Sequence, residues 1–538
     1  MPKIGNRDES LVGFSALEQD LQLGSVQPLW STTRIGGSPG IVFKDGFRVE
    51  TKTTAYRPEN TIRGHFEFGL KYDDLNLEWL FRLFLRTGAS WIEDWIVDSP
   101  GSVFARKAGF LYEWMTGESL EHTSGPAAYV NVLDPGKYLT ATAPTKNTRW
   151  KLLDNMPGTP DYCPMVRLTS EVSHEVQFDV VKALSELDEK FGADLLMRSA
   201  AWLTFNESRA TFTMEKESDR PSDIKRFAVA MAEHCGRIEE PLSDDSLKIL
   251  QKAVLGARAL RTGIRKSPVF VGTGAHFDVT VVRYIAPGFE SVGRLLNGLR
   301  DFEERTRPSE LDQRKSLIRA AAVAYGFVYI HPLSDGNGRV HRLLINDVLL
   351  RDGLVPGGVI LPVSSTIVKS STLRGEYGKV LDSISARQVK RYVTDYSFGP
   401  EYVCEDGVVS NFVFKAEKDA APMWRFPDLT QHTLFMAKIV RKTVLENMTD
   451  EAEILARHDE ARRRLKQAFE MPDNDADRII RSLRQNGGKV TNTLSEEYVA
   501  IFDDPEVAAE VIEAVTSALD GRPQENVAPA KTQADRMG

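Results

Sequence analysis

Cysteine is scarce: Cys163, Cys235 and Cys404 are the only three in 538 residues. None stands in a C-x-x-C pair, so the sequence suggests neither a disulfide framework nor a structural zinc site. Long apolar runs are also missing. No window approaches the ~18 uncharged apolar residues of a membrane span, and "MPKIGNRDESLVGF" at the start has no apolar core of signal-peptide length. A reducing, cytoplasmic setting without membrane association is the expectation. A basic surplus is absent too. The net charge of -8 and pI near 5.8 speak against a general nucleic-acid binder, although a local basic patch fits within that total. A G-x-x-x-x-G-K-[ST] phosphate loop is lacking: "NGGKVT" has Val490 after the lysine and Leu483 where the first glycine should stand. There is no internal repeat.

What remains is an ordinary globular composition, 42% apolar and 27% charged, in a chain long enough for about two to four domains. Residues 1–175 read as a mixed α+β domain. "GIVFKDGFRVETKTTAY" alternates like a strand, and Leu75, Trp79, Leu80, Leu83 and Phe84 recur at helical steps. Residues 176–400 read as mostly helical, broken by "SPVFVGTGAHFDVTVVRYIAPG", Ser267 to Gly288. Its β-branched runs on either side of a glycine-rich centre predict a hairpin. Residues 401–430 read as a linker and 431–520 as a helical domain. The polar tail 521–538 predicts disorder.

The densest chemistry lies in "HPLSDGNGRVHR", residues 331–342. The segment before it, "SELDQRKSLIRAAAVAYGFVYI", predicts a buried helix capped by Ser309, ending where proline disfavours helix in the residue ahead of it. "DGNG" favours a tight turn, and a second helix follows, with Gly353 at its C-terminal cap position. In such a loop Gly336 and Gly338 let backbone N–H groups converge, and the next helix adds positive charge at its start. Arg339 and Arg342 sit three apart near that first turn, with forks suited to phosphate oxygens. Asn337 offers a donor to phosphate. Asp335 is a hard oxygen ligand suited to Mg²⁺, and His331 stands where an imidazole could take a proton from a hydroxyl. An EF-hand starting at Asp335 fails, because its fifth position would be Arg339 and its twelfth is Asn346.

This stretch resembles the Fic-domain signature H-P-F-x-[D/E]-G-N-G-R-x-x-R, departing only at Leu333, where Phe is usual. The resemblance covers about residues 200–395. It implies a mainly α fold: a helical core with a β-hairpin flap, here flanked by the N-terminal α+β and C-terminal helical regions. It also implies transfer of AMP from ATP to a Ser, Thr or Tyr hydroxyl of a target protein, with self-modification as a further expectation. His331 would be the general base and Asp335 would hold Mg²⁺. Gly336, Asn337, Gly338, Arg339 and Arg342 would bind the nucleotide, and the hairpin at 267–288 would dock the target.

Many Fic proteins carry an inhibitory helix of pattern [S/T]-x-x-x-E-[G/N]. Thr211 and Glu215 match that spacing within the expected inhibitory segment 204–217, and Lys216 replaces the usual Gly or Asn. Glu215 would pair with Arg342. His341 is expected to be a partly exposed helix residue and His276 a structural or target-contacting residue. Tyr377 reads either as an adenine-side residue or as core. Two alternatives stand beside AMP transfer: AMP removal by the same site, and a regulatory protein whose core only binds nucleotide. The sequence leaves the oligomeric state open.

Overall fold

Helices dominate where apolar residues recur at three- and four-residue steps and polar side chains cap the ends. The computed structural model describes residues 10–44, 46–217, 220–256, 261–274 and 280–521. His276 lies outside these residues, and so does the tail from residue 522 onward.

The chain forms two compact units, one of residues 1–180 with 204–441 and one of 181–203 with 442–538. The first unit begins with a small sheet, β1 (Leu11–Val12), β2 (Ser31–Ile35), β3 (Gly40–Lys44) and β4 (Phe47–Lys52), in the order β1-β2-β4-β3. The β2–β4 pair is parallel and the others antiparallel. The expected strand segment 40–56 therefore supplies β3 and β4. The helical stretch expected beyond it divides at Gly88, whose φ of 67° ends helix Leu77–Thr87. Leu75, Trp79, Leu80, Leu83 and Phe84 all face the core, where they meet Phe14, Phe66, Trp95 and Trp150.

The remainder of this unit builds the site. Helix α1 (Ala193–Met214) precedes the hairpin strands β5 (Phe270–Gly274) and β6 (Thr280–Ile285), which pair antiparallel as the sequence predicts. Helices α2 (Phe289–Thr306), α3 (Gln313–Ile330) and α4 (Asn337–Arg351) follow, then α5 (Val363–Lys369) and α6 (Ser371–Arg391). The cap of α3 is Asp312, not Ser309: its side chain accepts from the Lys315 N–H at 3.1 Å. The chain between Ser309 and Gln313 is not yet helical, so the hydroxyl starts too early.

Two expected boundaries change. Residues 1–175 are not a separate domain, because they share one compact unit with the helical core. Tyr162 enters that core between α2 and α3. A Cβ at Gly298 would stand 2.6 Å from the Tyr162 backbone nitrogen, and one at Gly326 would stand 2.5 Å from its hydroxyl. Both positions need glycine for this close approach.

Residues 401–430 are likewise no bare linker. They complete a second hairpin, β7 (Tyr396–Val403) and β8 (Val409–Phe414), and form helix Glu417–Arg425. The following strand-like segment hydrogen-bonds to the N-terminal region, with Met165 N–H donating to the Pro427 carbonyl and Leu429 N–H to the Met165 carbonyl, both at 2.8 Å. Arg167 adds a buried ion pair with Asp428 at 3.1 Å. Such pairings join residues more than 250 positions apart, and no local pattern announces them.

The second unit is helical, as expected for its C-terminal part. Ala461, Leu465, Ile479, Ile480, Leu483, Val511 and Val515 form its core. Its boundary falls at 442 rather than 431, and it also takes residues 181–203. Among the described residues no helix is long and apolar enough to cross a membrane.

A fully buried guanidinium joins α2, α3 and the end of α4. Arg319 donates to Glu303 Oε1 at 2.7 Å, to the Glu303 carbonyl at 2.9 Å and to the Asp352 carboxylate. Removing one partner of a buried pair strands the other charge. Arg319→Met should therefore lower the unfolding free energy of the first unit by about 3 kcal/mol or more, read from the midpoint of urea denaturation.

Candidate active site

The loop between α3 and α4 is shaped by its own backbone. α3 ends at Ile330, and His331 turns the chain with φ 51° and ψ 56°. That left-handed conformation is uncommon for a residue with a Cβ, and such outliers gather at functional positions. Leu333 is fully buried, so it packs inward as expected. Gly336 has φ 89° and caps α4 by its backbone alone, with no side chain taking the first-turn N–H groups. A helix start left open in this way suits an anion.

His331 Nδ1 lies 3.1 Å from the Val328 carbonyl. Because a carbonyl only accepts, Nδ1 must carry the proton and Nε2 is left as a lone-pair nitrogen. Burial pushes the imidazole down to about 4, and the Arg265 charge adds to that push. It is neutral at physiological pH, as a proton acceptor must be.

Asn337 bonds within the loop. Its Oδ1 accepts from the Leu333 N–H at 3.0 Å and its Nδ2 donates to the Leu333 carbonyl at 2.7 Å. These two bonds close the loop on the Leu333 backbone. His341 is also not partly exposed. It is 1% exposed and bonds through Nδ1 to the Ala324 carbonyl at 2.7 Å, tying α4 to α3. Asp335 does face solvent, with 67% of its side chain exposed, and its Oδ1 accepts from the Gly336 N–H at 2.6 Å and from Arg339 at 3.3 Å. Its Oδ2 has no such tie among the described residues, which fits a hard cation held by one carboxylate and completed by phosphate oxygens and water. No group of three or more His, Cys, Asp or Glu side chains with metal-binding geometry occurs among the described residues.

The end of α1 comes to both arginines. Arg342 is buried and donates to Glu215 Oε1 at 2.6 Å. Arg339 stacks 5.2 Å from the Phe212 ring and donates to Glu217 Oε2 at 3.3 Å. Burial works against ionisation of Glu215, but the Arg342 guanidinium overrides it and holds the carboxyl below its ordinary range.

Gly338 makes the approach of Glu215 feasible, since a Cβ there would stand 2.2 Å from Glu215 Oε1. Lys216, which departs from the resembled pattern, adopts φ 61°. Beyond it the Glu217 N–H reaches back to the Phe212 carbonyl at 2.9 Å, the wrap of a helix C-terminus that favours Gly or Asn. The pattern's usual residues are thus explained by backbone geometry, and lysine meets the same geometry at a conformational cost. Tyr377, on α6, stands beside Arg342, whose charge opposes the upward push that burial gives its hydroxyl, and its ring lies 6.0 Å from that of Phe435.

Two residues of this site carry no signal in the sequence. Arg265 is 1% exposed and bonds to carbonyls of the loop and of the hairpin. Glu207 is fully buried two turns before Glu215 on α1. It accepts from the Ser364 N–H at 2.7 Å and the Ser365 N–H at 3.2 Å at the start of α5, while Thr211 Oγ1 meets Ser364 Oγ at 3.4 Å. Thr211 and Glu207 together seat α1 on α5. A glutamate in a helix reads as solvated unless its partners are known, and these lie more than 150 residues away.

Residues 245–349 match the sequence profile of the Fic/DOC family. Curated relatives are similar over part of the chain. "Protein adenylyltransferase fic-1" of Caenorhabditis briggsae is 31% identical over 155 residues, which is 29% of this chain and 27% of that protein. Its Caenorhabditis elegans counterpart is 30% identical over the same shares of the two chains. "Protein adenylyltransferase Fic" of Nematostella vectensis is 33% identical over 115 residues, 21% of this chain and 24% of that one. The chain thus spans about a quarter of the length of the curated relatives it matches. Among solved structures, a Fic family protein from Desulfovibrio desulfuricans G20 superposes with a TM-score of 0.34 at 18% identity, over 60% of this chain and 90% of that one. That superposition is too loose to carry an argument.

Glu207 generates a pH prediction. Burial raises its carboxyl from 4.5 to about 7 against the pull of its hydrogen bonds. Between those values the folded chain binds a proton that the unfolded chain has released, so this group's contribution to stability should fall as pH rises from 4.5 to about 7. Unfolding free energies measured across that window should show the slope in the parent and lose it in Glu207→Gln.

Proposed function

We propose, because residues 245–349 match the Fic/DOC family profile, that the chain transfers AMP from ATP to a hydroxyl side chain of a target protein. The observation that carries this reading is the pairing of a neutral, Nδ1-anchored His331 with an uncapped helix start bearing Arg339 and Arg342. An imidazole beside an anion-binding loop suits attack by a hydroxyl on a phosphoryl group. The relatives named protein adenylyltransferase favour AMP as the group moved.

In this reading His331 Nε2 takes the proton of a Ser, Thr or Tyr hydroxyl as its oxygen attacks the α-phosphorus of ATP. The bond from that phosphorus to the β-phosphate bridging oxygen breaks, pyrophosphate leaves, and the modified side chain is a phosphodiester of AMP. The proton on His331 returns to solvent. Loop N–H groups at the start of α4 hold phosphate oxygens, kept in place by the Asn337 brace, and Arg339 and Arg342 bind the outer phosphates. Mg²⁺ held at Asp335 would neutralise charge on the triphosphate. The hairpin β5–β6 offers an edge on which an extended target segment can add as a strand.

Glu215 and Glu217 hold this site shut. They occupy with carboxylates the two guanidiniums that phosphates need, so ATP cannot settle with its α-phosphate in line with the hydroxyl. This autoinhibition rests on the 2.6 Å contact of Arg342 with Glu215.

Incubation with α-labelled ATP and Mg²⁺ tests the proposal. Glu215→Gly should label itself or a target at least about tenfold faster than the parent, as one freed charged contact is worth roughly 1.4 kcal/mol or more. His331→Ala in that background should abolish labelling while nucleotide still binds in calorimetry. Labelling that survives His331→Ala overturns the base assignment, and equal labelling by parent and Glu215→Gly overturns the autoinhibition.

Asp335→Ala should remove most of the Mg²⁺ dependence of ATP affinity, measured by titration with and without the ion. Affinity that depends on Mg²⁺ equally in both proteins places the ion elsewhere.

A further inference from the structure

Arg265 stands just before the hairpin and outside the glycine-rich motif. All the hydrogen bonds of its guanidinium run to main-chain carbonyls. Nε donates to His331 at 2.7 Å, one terminal nitrogen to Ser267 at 2.8 Å, and the other to Pro287 at 2.6 Å and Ile330 at 3.5 Å. Its own N–H donates to the Pro332 carbonyl at 2.9 Å, and the adjacent Ile264 bridges to Leu333. One side chain thus joins the last residue of α3, the left-handed His331 and both roots of the β5–β6 hairpin.

The arrangement is costly. The residue is 1% exposed, and among the described residues no carboxylate hydrogen-bonds to it. Burial lowers its guanidinium to about 10, against weaker support from the carboxylates of Glu417, Asp406 and Glu290. Burying an unpaired cation is strongly unfavourable unless its donors are satisfied. A lysine, with three donors at one point, could not span carbonyls on three separate segments, whereas a planar fork can.

We propose that Arg265 is the positioning residue of the reaction, holding His331 in its left-handed turn and fastening the catalytic loop to the roots of the hairpin. The role rests on the AMP-transfer reading only for its kinetic consequence; the grip on His331 is a property of the fold. Releasing the carbonyls of Ile330 and His331 lets the turn relax toward an ordinary backbone conformation, and the imidazole then moves off the line to the attacking hydroxyl. The hairpin roots at Ser267 and Pro287 loosen with it. The second hairpin supports the same root from outside, because Asp406 accepts from the Lys266 N–H and the Ser267 hydroxyl, each at 2.9 Å. The charged groups facing His331 are Arg265 from this segment, Glu215 from the end of α1 and Asp335 from the loop. Removing the Arg265 charge leaves the carboxylate of Asp335, and in the parent that of Glu215 as well, which raises the pH at which the imidazole protonates.

The test uses the full chain with Glu215→Gly as the active background and adds Arg265→Lys or Arg265→Gln. Two readouts are taken. In protein labelled at histidine Cε1, the His331 resonance, identified by its loss in His331→Ala, should titrate well below 6.5 in the background protein and move upward in Arg265→Gln. Arg265→Lys, which keeps the charge without the fork, should move it less. In AMP transfer, both variants should lose about a hundredfold in kcat, the scale of a misplacement near 1 Å, with the affinity for ATP unchanged in calorimetry.

The proposal is overturned if a folded Arg265→Gln protein leaves the His331 titration unmoved, or if the loss appears in ATP affinity and not in kcat. Loss of folding in both variants would assign Arg265 to the fold alone and overturn it equally. A shifted His331 titration in a protein whose background form transfers no AMP would instead uphold the grip on His331 and refute the reaction assigned to the site.

Discussion

Arg339 and Arg342 lie three residues apart on the first turns of α4, both buried, and leaving either guanidinium unpaired there would be costly. That constraint organises the surrounding structure. The carboxylates of Glu217 and Glu215 supply that charge. To do so the end of α1 must lie against the start of α4, which requires Gly338 to have no Cβ and Lys216 to take a left-handed turn. Glu207 and Thr211 then fix the preceding turns of α1 on α5. The two ion pairs and the seating of α1 therefore depend on one another.

A second economy concerns donors and acceptors. A tight loop leaves backbone groups without the partners a helix or sheet would give them, and burying them unsatisfied is expensive. Asn337 takes both polar groups of Leu333, and Arg265 takes carbonyls at the end of α3. The loop's buried backbone groups are therefore satisfied by the chain itself. His341 and Arg319 extend the same satisfaction into the helices behind, where α3 binds α4 through the Ala324 carbonyl and α2 through Glu303.

The N-terminal region gains a role from its packing. It meets the core through Tyr162 between α2 and α3, and through main-chain hydrogen bonds to residues 425–429. The glycines at 298 and 326 admit that tyrosine against the helices. It thereby backs α3, the helix that delivers His331.

Much of this could be read from the chain itself. The periodicity of 313–330 and the glycines of 336–338 dictate two helices around a tight loop, since apolar spacing and backbone freedom act over a few residues. The β-branched runs of 267–288 dictate a hairpin for the same local reason. His331, Asp335, Arg339 and Arg342 stand out because one short segment carries them at the spacing of the resembled signature, and Thr211 and Glu215 because they match the resembled inhibitory pattern. Tertiary structure alone decided the rest. Only packing reveals that Asn337 serves the loop, that His341 is buried, that the Lys216 position needs a left-handed turn, and that residues 1–175 join the core. Arg265 and Glu207 read as ordinary charged residues, because a side chain's meaning is set by its partners, and theirs lie about 65 and 157 residues away. Local chemistry follows from sequence spacing, whereas the satisfaction of buried charge is a property of contacts that only the folded chain creates.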